Sequence, residues 1–211
     1  MPESPYTVSD VMTHTVIAVG RDAPFKEIVG LIDQWKVSAL PVLEGEGRVI
    51  GVVSEADLLP KEEFRDREGG EDEQADRSER RKAAALTAGE LMSSPAVTVH
   101  AVAPVTEAAR IMARRHVKRL PVVDAVGMLQ GVVSRSDLLK GFLRDDEEIA
   151  EEIRHSILGH LPVTTPLTIS VTDGVVTLGG SMPDRTLVPM VARAVRAVEG
   201  VVDIRLDLTH R

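Results

Sequence analysis

The chain of 211 residues contains no cysteine, which excludes disulfide bonds, thiol nucleophiles and thiolate metal sites. Aromatic residues make up only 2% of the sequence, so base stacking on aromatic side chains is disfavoured. The 33 acidic residues outnumber the 25 basic ones, and the formal net charge is -8. A protein that binds nucleic-acid phosphates needs the opposite balance. These absences predict that nucleic acid is not a partner.

Long apolar runs are also missing, and no stretch approaches the roughly 20 apolar residues of a membrane-spanning helix. The first residues, Met1 to Tyr6, contain neither a basic region nor an apolar run, so we expect no signal peptide. Together with the lack of cysteine, this predicts a soluble cytoplasmic protein. Hydrophobic residues still make up 43% of the chain, which is enough for a core of Val, Leu, Ile and Ala.

The strongest positive signal is an internal repeat. Residues 7–59 align with residues 87–139 without a gap. Such a repeat indicates two copies of one supersecondary unit, neither of which buries its apolar face alone. The shared motifs are Leu-Pro-Val at 40–42 and 120–122, Gly-Val-Val-Ser at 51–54 and 131–134, and Asp-Leu-Leu at 57–59 and 137–139.

Each copy predicts the order strand, helix, strand, strand, helix, behind a short helix capped by Thr7 or Thr87. The first strands are expected at Val16–Val19 and Ala96–Val99. Proline opens the following helix in both copies, as proline tolerates the first helical turn. The pattern therefore predicts a mixed α+β fold of tandem β-α-β-β-α repeats.

The segment 61–86 separates the copies, and within it Glu71 to Lys82 is nearly all polar. It cannot bury enough apolar surface to order itself, which predicts a flexible or loosely helical linker. A charged arm for a partner is the alternative. After the second copy, Asp173-Gly174 is a strong hairpin signal between two alternating segments. The region 145–211 predicts an α-β-β-α-β domain with its helices on one face of a three-stranded sheet.

Each copy ends in Ser-x-x-Asp, where a strand runs into a helix. The spacing fits a capping box, in which the serine and the acid satisfy backbone N–H groups and no ligand is needed. The same hydroxyl and carboxylate can also hold sugar hydroxyls. The second copy adds Arg119 and Arg135, where the first has Ala39 and Glu55. These substitutions do not affect the capping hydrogen bonds, whereas a phosphate binds arginine and is repelled by Glu55.

In these motifs the repeats resemble cystathionine-β-synthase (CBS) domains, and the pair resembles a Bateman module. The Met-Thr or Met-Ser at 12–13 and 92–93 adds to the match. The tail resembles a BON domain through Gly174-x-Val176-x-Leu178-x-Gly180 and a Val-Glu-Gly-Val before the last strand. The resemblance predicts CBS domains at 7–60 and 87–143, packed as a pseudo-twofold pair and separated by a charged linker at 61–86, with the BON-like domain at 145–211.

The resemblance implies a non-catalytic regulatory protein that binds AMP, ADP or ATP as a regulatory ligand and requires no cofactor. It also implies a homodimer through the CBS pair and a protein or phospholipid partner for the tail. The alternatives are a structural, oligomerisation or membrane-associating interaction module with no bound nucleotide, or an enzyme for which the sequence shows no catalytic constellation. No metal set is predicted. The implied ligand-binding residues are Ser134, Arg135, Asp137, Arg119, Val117 and Val97, with a weaker second site at Ser54 and Asp57.

Overall fold

The computed structural model describes residues 6–64, 77–161, 167–182 and 184–209, so residues 65–76 of the predicted linker lie outside the described residues. Proximity of Cα atoms divides the chain into two compact units. The central unit contains the described residues of 12–101 together with 119–133. The C-terminal unit contains residues 6–11, residues 102–118 and the described residues from Ser134 onward.

Both repeats show the predicted strand, helix, strand, strand, helix order behind a short helix, so the predicted α+β fold is confirmed. In the first repeat these elements are α1 (Val8–Val11), β1 (Val19–Gly20), α2 (Phe25–Trp35), β2 (Ala39–Glu44), β3 (Arg48–Ser54) and α3 (Glu55–Glu63). After α4 (Arg77–Ala84), the second repeat contains α5 (Ala88–Leu91), β4 (Val99–His100), α6 (Val105–Arg115), β5 (Arg119–Val123), β6 (Leu129–Ser134) and α7 (Arg135–Leu139).

Each repeat forms a three-stranded sheet in sequence order. The first strand pairs parallel with the second, as in Val19 with Val42, and β2 pairs antiparallel with β3. The strands β1 and β4 are two residues long and begin at the last residue of the predicted segments. Their pairing with β2 and β5 is confined to those two residues, so the preceding residues lie outside the ladder.

The two repeats exchange their first helices, an arrangement that the repeat pattern does not reveal. The amide of Val8 at the start of α1 donates to the carbonyl of Ala103, before α6 of the second repeat, at 2.8 Å. The amide of Ala88 at the start of α5 donates to the carbonyl of Ala23, before α2 of the first repeat, at 2.9 Å. Each short helix is therefore bound to the other repeat.

The glycine of each Gly-Val-Val-Ser motif makes room for this exchange. A Cβ atom at Gly131 would lie 2.7 Å from the sulfur of Met12 and 2.9 Å from the carbonyl oxygen of Thr13. In the other repeat, Met92 and the carbonyl of Ser93 meet Gly51 in the same way. Two of the repeated motifs are thus two sides of one close contact between repeats.

Residues 77–84, in the segment predicted to be a flexible or loosely helical linker, form helix α4. Few of its side chains are apolar, so composition alone does not explain the order. The helix is held by its contacts: the ammonium of Lys61 on α3 donates to the carbonyl of Ala83 at 2.8 Å. Ala85, directly after α4, is buried in the core of the central unit.

The tail has the predicted α-β-β-α-β order. Its elements are α8 (Asp146–Ser156), β7 (Thr168–Thr172), β8 (Val175–Ser181), α9 (Val188–Arg196) and β9 (Asp203–Thr209). The hairpin turn lies at Asp173-Gly174, where both residues have positive φ, as a two-residue turn of this kind requires. Strand β9 pairs parallel with β8 and lies at the sheet edge.

The apolar stripe of the last helix belongs to the core of this domain. Val191 and Val195 on α9 are buried with Ile149 and Ile153 of α8 and with Val176 of β8. The valines of α9 therefore pack into the core of the tail domain. Within the described part of the chain, every helix is too short or too polar to cross a membrane.

Candidate functional site

The corner between β6 and α7 is built by a reciprocal cap. Asp137 Oδ2 accepts hydrogen bonds from the backbone N–H of Ser134 at 2.9 Å and from its hydroxyl at 2.6 Å. The backbone N–H of Asp137 points back to the serine oxygen at 3.4 Å. The capping box that the spacing allowed is therefore present. It uses one carboxylate oxygen and leaves the other available to a different partner.

That other oxygen, Asp137 Oδ1, accepts from the ammonium of Lys140 at 2.7 Å. The Asp137 side chain is 13% exposed and that of Lys140 is 58% exposed. Exposed ion pairs of this kind contribute between zero and about 1 kcal/mol. The lysine can therefore leave Oδ1 at little cost, and the oxygen can accept a hydroxyl instead.

The electrostatics keep this carboxylate charged. Burial alone would raise the pKa of Asp137, but the hydrogen bonds from Lys140 and Ser134 outweigh burial and hold the pKa below its ordinary value. At neutral pH the group is thus an acceptor with no proton to donate. An ionised, partly exposed carboxylate is suited to a ligand that offers hydroxyl groups.

The corner between β3 and α3 repeats the cap but not its surroundings. Asp57 Oδ2 accepts from the backbone N–H of Ser54 at 2.8 Å and from its hydroxyl at 2.7 Å. Asp57 Oδ1 forms an ion pair with Lys82 of α4. The Asp57 side chain is 7% exposed and that of Lys82 is 19% exposed, so this pair is less exposed than the pair of Asp137 and Lys140.

The two arginines that distinguish the second repeat lie in different environments. Arg119 begins β5 in the central unit, and its guanidinium donates to the hydroxyl of Ser38 at 2.7 Å. Arg135 begins α7 in the C-terminal unit, with an exposed side chain and its backbone N–H bonded to the carbonyl of Lys118 at 3.0 Å. Ser38 is a contact of Arg119 that the sequence analysis did not identify.

The two valines among the predicted ligand-binding residues, Val97 and Val117, are half-buried, and their side chains carry no polar atom. Val97 lies before β4 in the central unit, and Val117 follows α6 in the C-terminal unit. The backbone N–H of Val117 donates to the carbonyl of Met112 at 3.1 Å. Hydrogen bonds join Ser134 to Asp137 and Ser54 to Asp57.

Lys82 and Lys140 are the charged partners that sequence reasoning missed. Lys140 follows Asp137 by three residues on the same helical turn, a spacing that predicts contact. Lys82 lies in a charged segment where no pattern marks one lysine above its neighbours. Among the described residues, no cluster of three or more His, Asp or Glu could hold a metal ion.

Duplicated α+β repeats with exchanged first helices, each with a capped carboxylate at its last strand-to-helix corner, define a tandem domain pair with an appended α-β-β-α-β domain. A model of the CBS-domain family matches residues 8–61 and 88–144, and a model of the BON-domain family matches residues 145–210. The chain therefore belongs to the CBS-domain family, with two CBS domains followed by a C-terminal BON domain.

Relatives match the CBS pair. CBS domain-containing protein CBSX2 of Arabidopsis thaliana is 29% identical over 68% of this chain and 66% of its own length. Uncharacterized protein MJ1426 of Methanocaldococcus jannaschii is 24% identical over 64% of this chain and 90% of its own length. Inosine-5'-monophosphate dehydrogenase of the same organism matches over 62% of this chain but only 22% of the enzyme.

Solved structures agree with the fold. The crystal structure of CBSX2 in complex with AMP has a TM-score of 0.57 and 28% identity, and the match covers 65% of this chain and 97% of that one. The CBS pair of MJ0100 in complex with 5'-methylthioadenosine and S-adenosyl-L-methionine has a TM-score of 0.53 over 65% of this chain and 95% of that one. At 19% identity, the second likeness shows the fold alone.

Proposed function

We propose that the protein is a non-catalytic regulator whose second CBS repeat binds an adenosine nucleotide at the corner of Ser134 and Asp137. The observation that carries the proposal is the state of Asp137 Oδ1. This oxygen belongs to an ionised carboxylate, and Lys140, which donates to it, is mostly exposed. Ribose hydroxyls can replace that lysine, because the cap itself uses only Oδ2.

The charge near this corner favours a phosphorylated ligand. Arg135 follows Ser134 directly and its side chain is exposed, whereas the aligned residue of the first repeat is Glu55. Arginine forms paired, charge-assisted hydrogen bonds with phosphate, and glutamate repels it. CBSX2, which binds AMP, is the relative in support of this ligand class. The proposal therefore ranks AMP, ADP and ATP above uncharged adenosyl compounds.

Titration calorimetry with AMP, ADP, ATP and S-adenosylmethionine tests this function. We expect a saturable isotherm for at least one nucleotide, abolished by Asp137→Asn and retained by the matched Asp57→Asn. Nucleotide at 100 times its Kd should also raise the free energy of unfolding by about 2.7 kcal/mol. Binding lost through Asp57→Asn and kept by Asp137→Asn would place the ligand in the first repeat instead.

An interaction module without nucleotide is the second candidate, because complete capping boxes are present at both corners. A cap needs no ligand, so each corner is explained by helix stability alone. This candidate predicts flat calorimetric and unfolding responses across the whole nucleotide panel. It also predicts that Ser134→Ala affects stability by about 1 kcal/mol and nothing else.

We further propose that the tail relays the ligand state to a protein or phospholipid partner, within a homodimer formed by the CBS pair. The contacts that support the relay follow α7 directly. Arg144 donates to the carbonyl of Glu199 at 3.1 Å and forms an ion pair with Glu152 at 2.8 Å. The carboxylate of Glu199 lies directly against Gly141. A few residues therefore connect Asp137 to the BON domain.

A further inference from the structure

We infer that Lys82 restricts nucleotide binding to the second CBS repeat, because its ammonium occupies the position at which a ribose hydroxyl would meet Asp57. This inference rests on the function proposed above. The cap of the first repeat commits Asp57 Oδ2 to Ser54, so Oδ1 is the oxygen left for a ligand. Lys82 is bound to that oxygen.

Burial separates this ion pair from its counterpart. The Lys140 side chain is three times as exposed as that of Lys82, at 58% against 19%. A ligand at Asp137 displaces a lysine that is already largely hydrated. A ligand at Asp57 must remove a lysine that is largely shielded from solvent, and removing one partner of a buried pair leaves an uncompensated charge.

Helix α4 is held in place by more than this one pair. The ammonium of Lys61 on α3 donates to the carbonyl of Ala83, next to Lys82, and also lies 5.2 Å from the centre of the Phe25 ring. Ala85 is 4% exposed in the core of the central unit. Withdrawal of Lys82 from Asp57 therefore works against contacts of the whole helix, and α4 acts as a built-in occupant of the first corner.

The asymmetry originates in the order of segments along the chain. In the first repeat the partner of the aspartate comes from a separate helix, 25 residues further along. In the second repeat the partner comes from the same turn, three residues further along. The two repeats share the Ser-x-x-Asp motif, so the lysine bound to the aspartate, and not the motif, decides which corner is accessible to a ligand.

The test counts ligands bound per chain by equilibrium dialysis and calorimetry, with AMP and uncharged adenosine as probes. Adenosine is included because Glu55 repels a phosphate at the first corner whether or not Lys82 is present. We expect one site per chain in the wild type, two with adenosine in Lys82→Ala, and one again in Lys82→Ala combined with Asp57→Asn. Arg81→Ala, which removes an exposed cation from the same helix, should keep one site.

The outcomes separate this inference from the proposed function. One site in both the wild type and Lys82→Ala, or two in the wild type, overturns the inference and leaves the function standing. A site that appears only in Lys82→Ala and is removed by Asp57→Asn supports the inference and overturns the assignment to Asp137. Absence of binding in every variant overturns both.

A measurement without ligand covers the case in which Lys82→Ala folds poorly. Lys82→Met keeps the side-chain stem and removes the charge, so it serves as the second variant in the binding count. Hydrogen exchange of the α4 amides should be at least tenfold faster in Lys82→Met than in the wild type, and unchanged in Arg81→Ala. Equal exchange in all three proteins would show that the ion pair does not hold α4, which contradicts the inference.

Discussion

Asp57 and Asp137 show how one residue in one local geometry acquires two different roles. Both carboxylates accept from the serine three residues earlier, and both complete a capping box. They differ in the cation at the second oxygen, which is half-buried Lys82 for Asp57 and exposed Lys140 for Asp137. The capping interaction is common to both repeats, whereas access to the carboxylate is not.

The stability contribution of Asp137 should depend on pH. Because its folded pKa is lowered below the ordinary value of 3.8, the contribution is present above that value and is lost as the pH falls through the folded pKa. Asp137→Asn should therefore be less stable than the wild type at pH 7, by about 1 kcal/mol after allowance for solvent screening. Urea unfolding at pH 7 and pH 2.5 measures this.

The difference between the two proteins should shrink at pH 2.5, because the contribution of the ionised carboxylate is lost as the pH falls through its lowered pKa. A difference that is equal at the two pH values would show that the ionised form is not stabilised in the folded state. Lys140→Ala is the matched variant, because it removes one source of the lowered pKa of Asp137 and leaves the cap in place.

At the scale of elements, the repeats depend on each other through their exchanged short helices. Gly131→Ala introduces a Cβ that meets Met12 and the carbonyl of Thr13, and the backbone oxygen has no flexible end to move. We expect this substitution to lower the free energy of unfolding by about 1–3 kcal/mol. Chemical denaturation of the full chain measures the loss.

Gly30→Ala is the control for this prediction. Gly30 lies inside α2, and an added Cβ meets nothing within 4 Å. The same chemical change should therefore stabilise the protein, by about 0.5–1 kcal/mol, since alanine favours the helix interior. Opposite changes in the free energy of unfolding for the two substitutions would separate the effect of the close contact at Gly131 from that of helix propensity at Gly30. A stabilising Gly131→Ala would contradict the contact.

Element order could be predicted from the sequence because it follows from hydrophobic periodicity and turn residues. The hairpin at Asp173-Gly174 and the buried stripe of α9 are examples. The partner of a short helix could not be predicted, since α1 and α5 carry the same pattern whichever repeat they contact. The segment of α4 was predicted as a flexible or loosely helical linker, because the contacts that hold it, made by Lys61, Lys82 and Ala85, leave no trace in average composition.

At the scale of the whole molecule, the segment after α7 links the second CBS repeat to the BON domain. Arg144 joins the segment after α7 to Glu152 on α8 and to the carbonyl of Glu199 after α9. The side chain of Arg144 is largely buried, and so is much of that of Glu152. One guanidinium therefore contacts both α8 and the segment that follows α9.

Arg144→Ala should uncouple the BON domain from the ligand without removing binding. Hydrogen exchange with and without AMP measures this: we expect AMP to slow exchange in α9 and β9 of the wild type and to leave them unchanged in the variant. Arg154→Ala is the matched control, because it removes an exposed ion pair with Glu147 on the same domain. A nucleotide effect on α9 that survives Arg144→Ala would contradict the relay.

The exchanged short helices have a consequence for how the molecule can be divided. Each half of the duplication carries a piece that completes the other half, so neither CBS repeat is a self-sufficient fragment. Cleavage between α3 and α4 would yield two complementary fragments. Each fragment would expose the surface that binds the short helix of the other. Such parts should find one another in solution, which makes this linker a natural place to build a split reporter.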